Sequence, residues 1–115
     1  MTIERFDKGP RMSQAVVHGD RVYLAGQVAD DTSEDVAGQT RQVLAKIDAL
    51  LARAGSSKEQ ILTANVWLSD IRTFNEMNSV WDPWVSKENP PCRACVESRL
   101  ATPDYTVEIM IVAAR

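Results

Sequence analysis

Two charged residues stand where the surrounding sequence is not charged. Arg93 lies among Pro91, Cys92, Ala94, Cys95 and Val96, all small or apolar. A guanidinium is a planar fork of donors that matches a carboxylate bidentately and stays protonated. In such a stretch it fits either of two uses: gripping an anionic ligand, or a structural ion pair to Glu97 or to an acid of another subunit. Glu108 sits between Val107 and Ile109 in a run that is otherwise apolar. Partial desolvation there would push its pKa upward, toward what a general base needs. A carboxylate on the solvent side of a strand is the other reading.

The remaining candidates are weaker. Cys92 and Cys95 form a C-x-x-C. A redox pair of the thioredoxin kind places its first thiol at a helix N-terminus, and a structural zinc site needs about four ligands. The flanking residues instead read as a strand, on which positions i and i+3 point to opposite faces, so two small half-buried residues are expected. The single histidine, His18, beside Gly19-Asp20, is expected at the surface. Gly26, at a strand end, permits close backbone approach, although a plain turn is the commoner use of such a residue. Trp67, Trp81 and Trp84 read as core or interface anchors, with Trp84 the one placed to reach a cleft. No metal-ligand cluster or glycine-rich phosphate loop stands out.

The elements that must position these residues follow from the apolar period. Thr2 to Lys8 is a weak edge strand. Gln14 to His18 and Arg21 to Ala25 form a hairpin across Gly19-Asp20. The polar loop Asp30-Asp31-Thr32-Ser33 supplies an N-cap for a helix from about Glu34 to Ala54. Its stripe is Val36, Thr40, Val43, Leu44, Ile47, Leu50, Leu51 and Ala54, with Glu34 and Asp35 in the first turn and Gly55 as the C′ residue. Ile61 to Leu68 is rich in β formers. Thr73 and Glu76 have capping-box spacing and open a second helix. Its apolar side carries Phe74, Met77, Asn78, Trp81 and Val85, and Pro83 kinks or ends it near Trp84. Arg93 to Leu100 and Tyr105 to Ala113 complete the order β-β-β-α-β-α-β-β.

At 115 residues the chain has room for one domain, 1–115. Two amphipathic helices cover one face of a sheet. Val107, Ile109, Ile111 and Ala113 make one apolar row, while Met110 and Val112 make the opposite row partly apolar. A strand apolar on both sides is buried on both sides. No residues remain to cover the second face, so a homo-oligomer packed sheet to sheet is expected. Net charge is -3 and no run of Lys or Arg occurs, which disfavours phosphate-driven nucleic-acid binding. The N-terminus lacks signal-peptide features and no apolar run approaches the roughly 20 residues that span a bilayer. A cytoplasmic protein without membrane partners is the expectation.

Four blocks then carry a resemblance. Pro91-Cys92-Arg93-Ala94-Cys95-Val96-Glu97 resembles the P-x-R-x-x-V-E strand of the Rid family, the reactive intermediate deaminases also called the YjgF family. Met12-Ser13-Gln14-Ala15-Val16 resembles its Y-S-Q-A-V, Leu24-Ala25-Gly26-Gln27-Val28 its S-G-Q-[IV], and Val107-Glu108-Ile109 its V-E-I. Gln39-Thr40 with Val43-Leu44 falls in the matching helix. No block is specific alone; four in order along the chain are.

The resemblance implies a chorismate-mutase-like α+β subunit with two helices on one face of a mixed sheet. It also implies a homotrimer around a central β-barrel, with ligand clefts between subunits. It assigns Arg93 to the ligand carboxylate and Glu108 to orienting water, sets Gly26 in the turn lining the cleft, and sets Met12 and Ala25 where ligand-facing hydroxyls stand in the family; Cys95 and Trp84 are further candidates about the ligand. Met12 and Ala25 depart from the family's Tyr and Ser, so two hydroxyls are missing and the pocket is drier. The implied activity is that of a cofactor-independent deaminase of the 2-iminobutanoate/2-iminopropanoate type. Such an enzyme hydrolyses enamine or imine intermediates to 2-keto acids and ammonia, with no metal. Because these imines decay in water unaided, positioning and charge stabilisation suffice. The rival from another class is a non-catalytic sensor that binds small carboxylates in the same cleft. Ribonuclease activity, also attached to the family's name, sits poorly with the acidic charge.

Overall fold

A computed structural model describes residues 1–115. Six strands form one mixed sheet: β1 (Ile3–Phe6), β2 (Ala15–His18), β3 (Arg21–Leu24), β4 (Ile61–Leu68), β5 (Cys92–Glu97) and β6 (Val107–Ala114). Their spatial order is β1-β2-β3-β6-β4-β5. Every pairing is antiparallel except β4 with β5, which is parallel. Helices α1 (Val36–Arg53) and α2 (Phe74–Trp84) pack on each other, and α1 lies across β6. The expected fold class and element order are therefore found. The β2–β3 hairpin turns tightly at Gly19, whose φ of 62° is the left-handed conformation a short hairpin loop needs.

All eight stripe residues of α1, from Val36 to Ala54, are buried against the sheet. Its cap differs from expectation. The Asp35 carboxylate accepts from the Gly38 N–H at 2.9 Å, so the helix starts later than Glu34 and no acid lies inside its first turn. Asp31 is unavailable as a cap because its carboxylate takes both the N–H and the hydroxyl of Ser33.

The capping box of α2 does not form either. Thr73 donates its hydroxyl to the Asp70 carbonyl at 2.6 Å, and Glu76 instead accepts from the Ala37 N–H at 3.3 Å, tying α2 to the start of α1. Pro83 falls in the last turn, and the helix ends at Trp84 as expected.

Two strand boundaries also move. β5 runs from Cys92 to Glu97 rather than from Arg93 to Leu100. It is an edge strand paired only with β4, and β4 ends at Leu68. Thr106 gives its N–H to the Gln39 side chain, so β6 begins at Val107 rather than Tyr105. Gln39 is fully buried, and its amide N–H groups reach the carbonyls of Thr32, Glu34 and Asp104. One polar side chain thus pins the β5–β6 loop to the head of α1.

Along β6 the odd residues, Val107, Ile109, Ile111 and Ala113, are buried beneath the helices, while Glu108, Met110, Val112 and Ala114 are half-buried on the other face. Across that uncovered face the register lines up Val16, Tyr23, Val112, Thr63 and Cys92 in one row. A parallel row joins Glu108, Trp67 and Val96. Tyr23 is 42% exposed and Val96 50% exposed, so large apolar groups face outward here. This is the two-sided sheet, with one side unoccupied by this chain's own helices, that the sequence implied.

Candidate active site

Arg93 lies on β5 beside Ala64 of β4, which pairs in turn with Ile111 of β6. That row belongs to the helix-covered face, and the edge position of β5 lets the long side chain run out beneath α2. There its Nη1 donates to Oδ1 of Asn78 at 2.8 Å. Its guanidinium carbon lies 5.1 Å from the centre of a Trp81 ring and 5.7 Å from that of Phe74. Both are within the range of cation–π attraction. Asn78 is its only hydrogen-bond partner in the chain, and no carboxylate reaches it. Glu97, one of the partners weighed from sequence, accepts from the Ile71 N–H at 3.0 Å instead. Within one chain the guanidinium is half-buried and unneutralised.

Glu108 sits on the other face, in register with Trp67. It makes no hydrogen bond or ion pair within the chain, and burial pushes its carboxyl above the ordinary value. Gly26 packs directly on it: a Cβ at residue 26 would fall on the Glu108 carboxylate. The backbone there is held by a reciprocal pair, Gln27 N–H to the Ile109 carbonyl at 2.8 Å and Ile109 N–H to the Gln27 carbonyl at 3.1 Å. The buried Gln27 amide donates to Oε1 of Gln14 at 2.9 Å and to the Ala25 carbonyl at 3.0 Å. Ala25 returns its N–H to the Gln14 carbonyl at 2.9 Å. The Ala25–Gly26 backbone is thus fixed beside the Glu108 carboxylate, which itself has no partner in the chain. Met12 lies on the loop leading into Gln14 and is 47% exposed.

Arg93 and Glu108 are not brought together in a single chain; they stand on opposite faces of the sheet. Cys95 shares Arg93's side of β5, half-buried, its thiol pKa raised by burial against the opposing pull of Arg93. Cys92 points to the uncovered face and is exposed, so the two thiols diverge as a strand requires. His18 is exposed. Trp84 does not touch Arg93. Its indole N–H donates to Asp48 at 3.0 Å and its ring packs behind Trp81 at 5.3 Å, leaving Trp81 as the tryptophan beside the guanidinium. The largest concavity, about 730 Å³, lies beyond the ends of β4 and β5 among Ser69, Glu97, Arg99 and Tyr105, and includes neither Arg93 nor Glu108.

Sequence alone puts Phe74 and Asn78 only on the apolar side of α2, and Gln14 and Gln27 only within family-like blocks, with no role at the site. A signal was present for each pair: Asn78 is the polar residue on the apolar side of α2, and the two glutamines each follow a small residue at a strand end.

A family model described as Endoribonuclease L-PSP matches residues 2–115. The chain belongs to the Rid (YjgF/RutC) family. A RutC family protein of Haemophilus influenzae is 46% identical over 114 residues, 98% of each chain. A solved structure of a YjgF-family member from Neisseria meningitidis superposes with a TM-score of 0.97 at 45% identity, covering 100% of this chain and 96% of that one. The solved Rid-family protein YyfA of Yersinia pestis gives 0.89 at 25% identity, over 99% and 100% of the two chains. The P-x-R-x-x-V-E segment that first carried the resemblance forms the Arg93 edge strand of this Rid protein, and its V-E-I segment forms the centre of the sheet.

Proposed function

We propose that this Rid protein is a cofactor-independent deaminase acting on 2-imino acids of the 2-iminobutanoate and 2-iminopropanoate type and on their enamine tautomers. The observation that carries the reading is the half-buried Arg93 guanidinium with no anion in its own chain. Its charge and fork geometry suit the substrate carboxylate. Water adds to the imine carbon while Glu108 takes its proton, and the nitrogen, protonated in turn, leaves as ammonia to give the 2-keto acid. A carboxylate raised by desolvation and free of partners supports that role.

Because Arg93 and Glu108 occupy opposite faces, the site that uses both is built between copies, Arg93 from one and the Gly26–Glu108 corner from its neighbour. The apolar uncovered face supports a homotrimer closed around it. A cytoplasmic setting is part of the same proposal; no helix is long and apolar enough to cross a membrane.

A second reading, a non-catalytic sensor of small carboxylates, is favoured by one observation: Met12 and Ala25 bring no hydroxyl to the corner that holds Glu108. Generating a 2-imino acid in situ with an amino-acid oxidase and following its decay separates the two. The deaminase reading expects faster decay with the protein and none of that gain with Arg93→Ala. Keto-acid binding without acceleration would establish the sensor.

A further inference from the structure

Arginine is almost never taken fully out of water without a partner. Arg93 has three close neighbours, and none carries charge: Asn78 accepts from Nη1 at 2.8 Å, and the Trp81 and Phe74 rings flank the guanidinium. Two nearby acids are turned elsewhere, Glu97 to the Ile71 N–H and Glu76 to the Ala37 N–H, and no carboxylate forms an ion pair with Arg93. We propose that Asn78, with the two rings, is a positioning device that orients Arg93 while leaving its charge unneutralised, so that the anion completing the cluster is the ligand carboxylate. This rests on Arg93 being the carboxylate grip.

Residue 78 is an amide and not an acid. An Asp at 78 has the shape of Asn and would accept the same Nη1 proton, more strongly, so stability alone gives no reason to prefer the amide. A carboxylate would, however, neutralise the guanidinium and compete with the ligand. Ring faces likewise hold a cation without cancelling its charge. With Nη1 committed to Asn78, the Nε–Nη2 edge is the one left free within the chain, a side-on seat for one carboxylate.

Three proteins test this: the parent, Asn78→Asp and Asn78→Ala, each assayed for pyruvate and 2-oxobutanoate binding by calorimetry, for imine turnover, and for phenylglyoxal labelling of Arg93 by mass spectrometry. In Asn78→Asp, keto-acid affinity is expected to fall about tenfold or more. KM rises more than kcat falls, and Arg93 becomes slower to label, with the melting temperature equal to or above the parent's. Asn78→Ala costs less in affinity and leaves Arg93 labelled. A merely structural Asn78 gives the reverse order, with Asp indistinguishable from the parent and Ala the worst, and that result overturns the proposal. So does a parent Arg93 that resists labelling as strongly as in Asn78→Asp. If the carboxylate-grip reading itself is wrong, no variant binds keto acid, yet the labelling contrast between parent and Asn78→Asp persists; the two failures are thereby separable.

Discussion

Residue 26 and Glu108 compete for one volume: a Cβ on Gly26 would occupy the site of the Glu108 carboxylate. The glycine matters through that contact and not through its backbone angle, since the positive φ values in this chain fall at Asp7, Gly19 and Gly55. Gly26→Ala is expected to displace the far end of a flexible side chain, so the fold survives while the carboxylate moves. Imine turnover should drop about tenfold or more, the scale of a misplaced general base. The melting temperature should shift by only a few degrees. Unchanged turnover in a folded Gly26→Ala protein would remove Glu108 from the chemistry.

Placement of Arg93 and Glu108 on opposite faces makes a prediction about mixtures. Arg93→Ala and Glu108→Gln are each expected to be inactive alone. Unfolded together and refolded at equal ratio, they should recover about a quarter of the parent's activity, the random chance that a shared site draws its intact Arg and intact Glu from different copies. No recovery, in a mixture shown by mass to have exchanged subunits, places both residues of a working site in one chain.

Burial raises the Glu108 pKa in the folded protein above its unfolded value. The folded state then holds the proton more tightly, and stability falls as pH climbs from the unfolded to the folded pKa, staying flat above it. Glu108→Gln removes this penalty. The variant should be more stable than the parent near neutral pH, with the gain vanishing below the ordinary carboxyl value of 4.5. Urea denaturation at two pH values checks the sign; a gain confined to acid would contradict it.

Gln39 satisfies the Asp104 carbonyl and the Thr106 N–H at once. Gln39→Ala leaves both without that partner and opens a void, with an expected cost of about 2–4 kcal/mol. The loop it anchors should become the first tryptic site, at Arg99. Equal protease resistance in the variant would show the loop held by something else.

Much of the fold was legible because it rests on local periodicity. The α1 stripe, the β2–β3 hairpin, the full span of β4 and the end of α2 just after Pro83 each depend on residues within a few positions of one another. The errors lie where a distant group took over a local role. Glu76 left its own helix's cap for the Ala37 N–H, Thr106 exchanged a strand bond for Gln39, and β5 stopped because β4 supplied no further partner. Trp84, read from sequence as the tryptophan placed to reach a cleft, gives its indole N–H to Asp48 on α1, and Trp81 is the ring beside Arg93.

By itself the sequence determined the element order, the two-sided sheet and, through the P-x-R-x-x-V-E and V-E-I segments, the family. Charge in apolar surroundings and period-2 alternation are written residue by residue, so they can be read without knowing what lies across the sheet. Only the tertiary structure decided that Arg93 and Glu108 face opposite ways, and that Asn78 and two aromatic rings hold the guanidinium without neutralising it. It also showed that glycine at residue 26 is what leaves the Glu108 carboxylate its place. These are contacts across strand order and between layers, set by which strand becomes an edge and which helix lies over it.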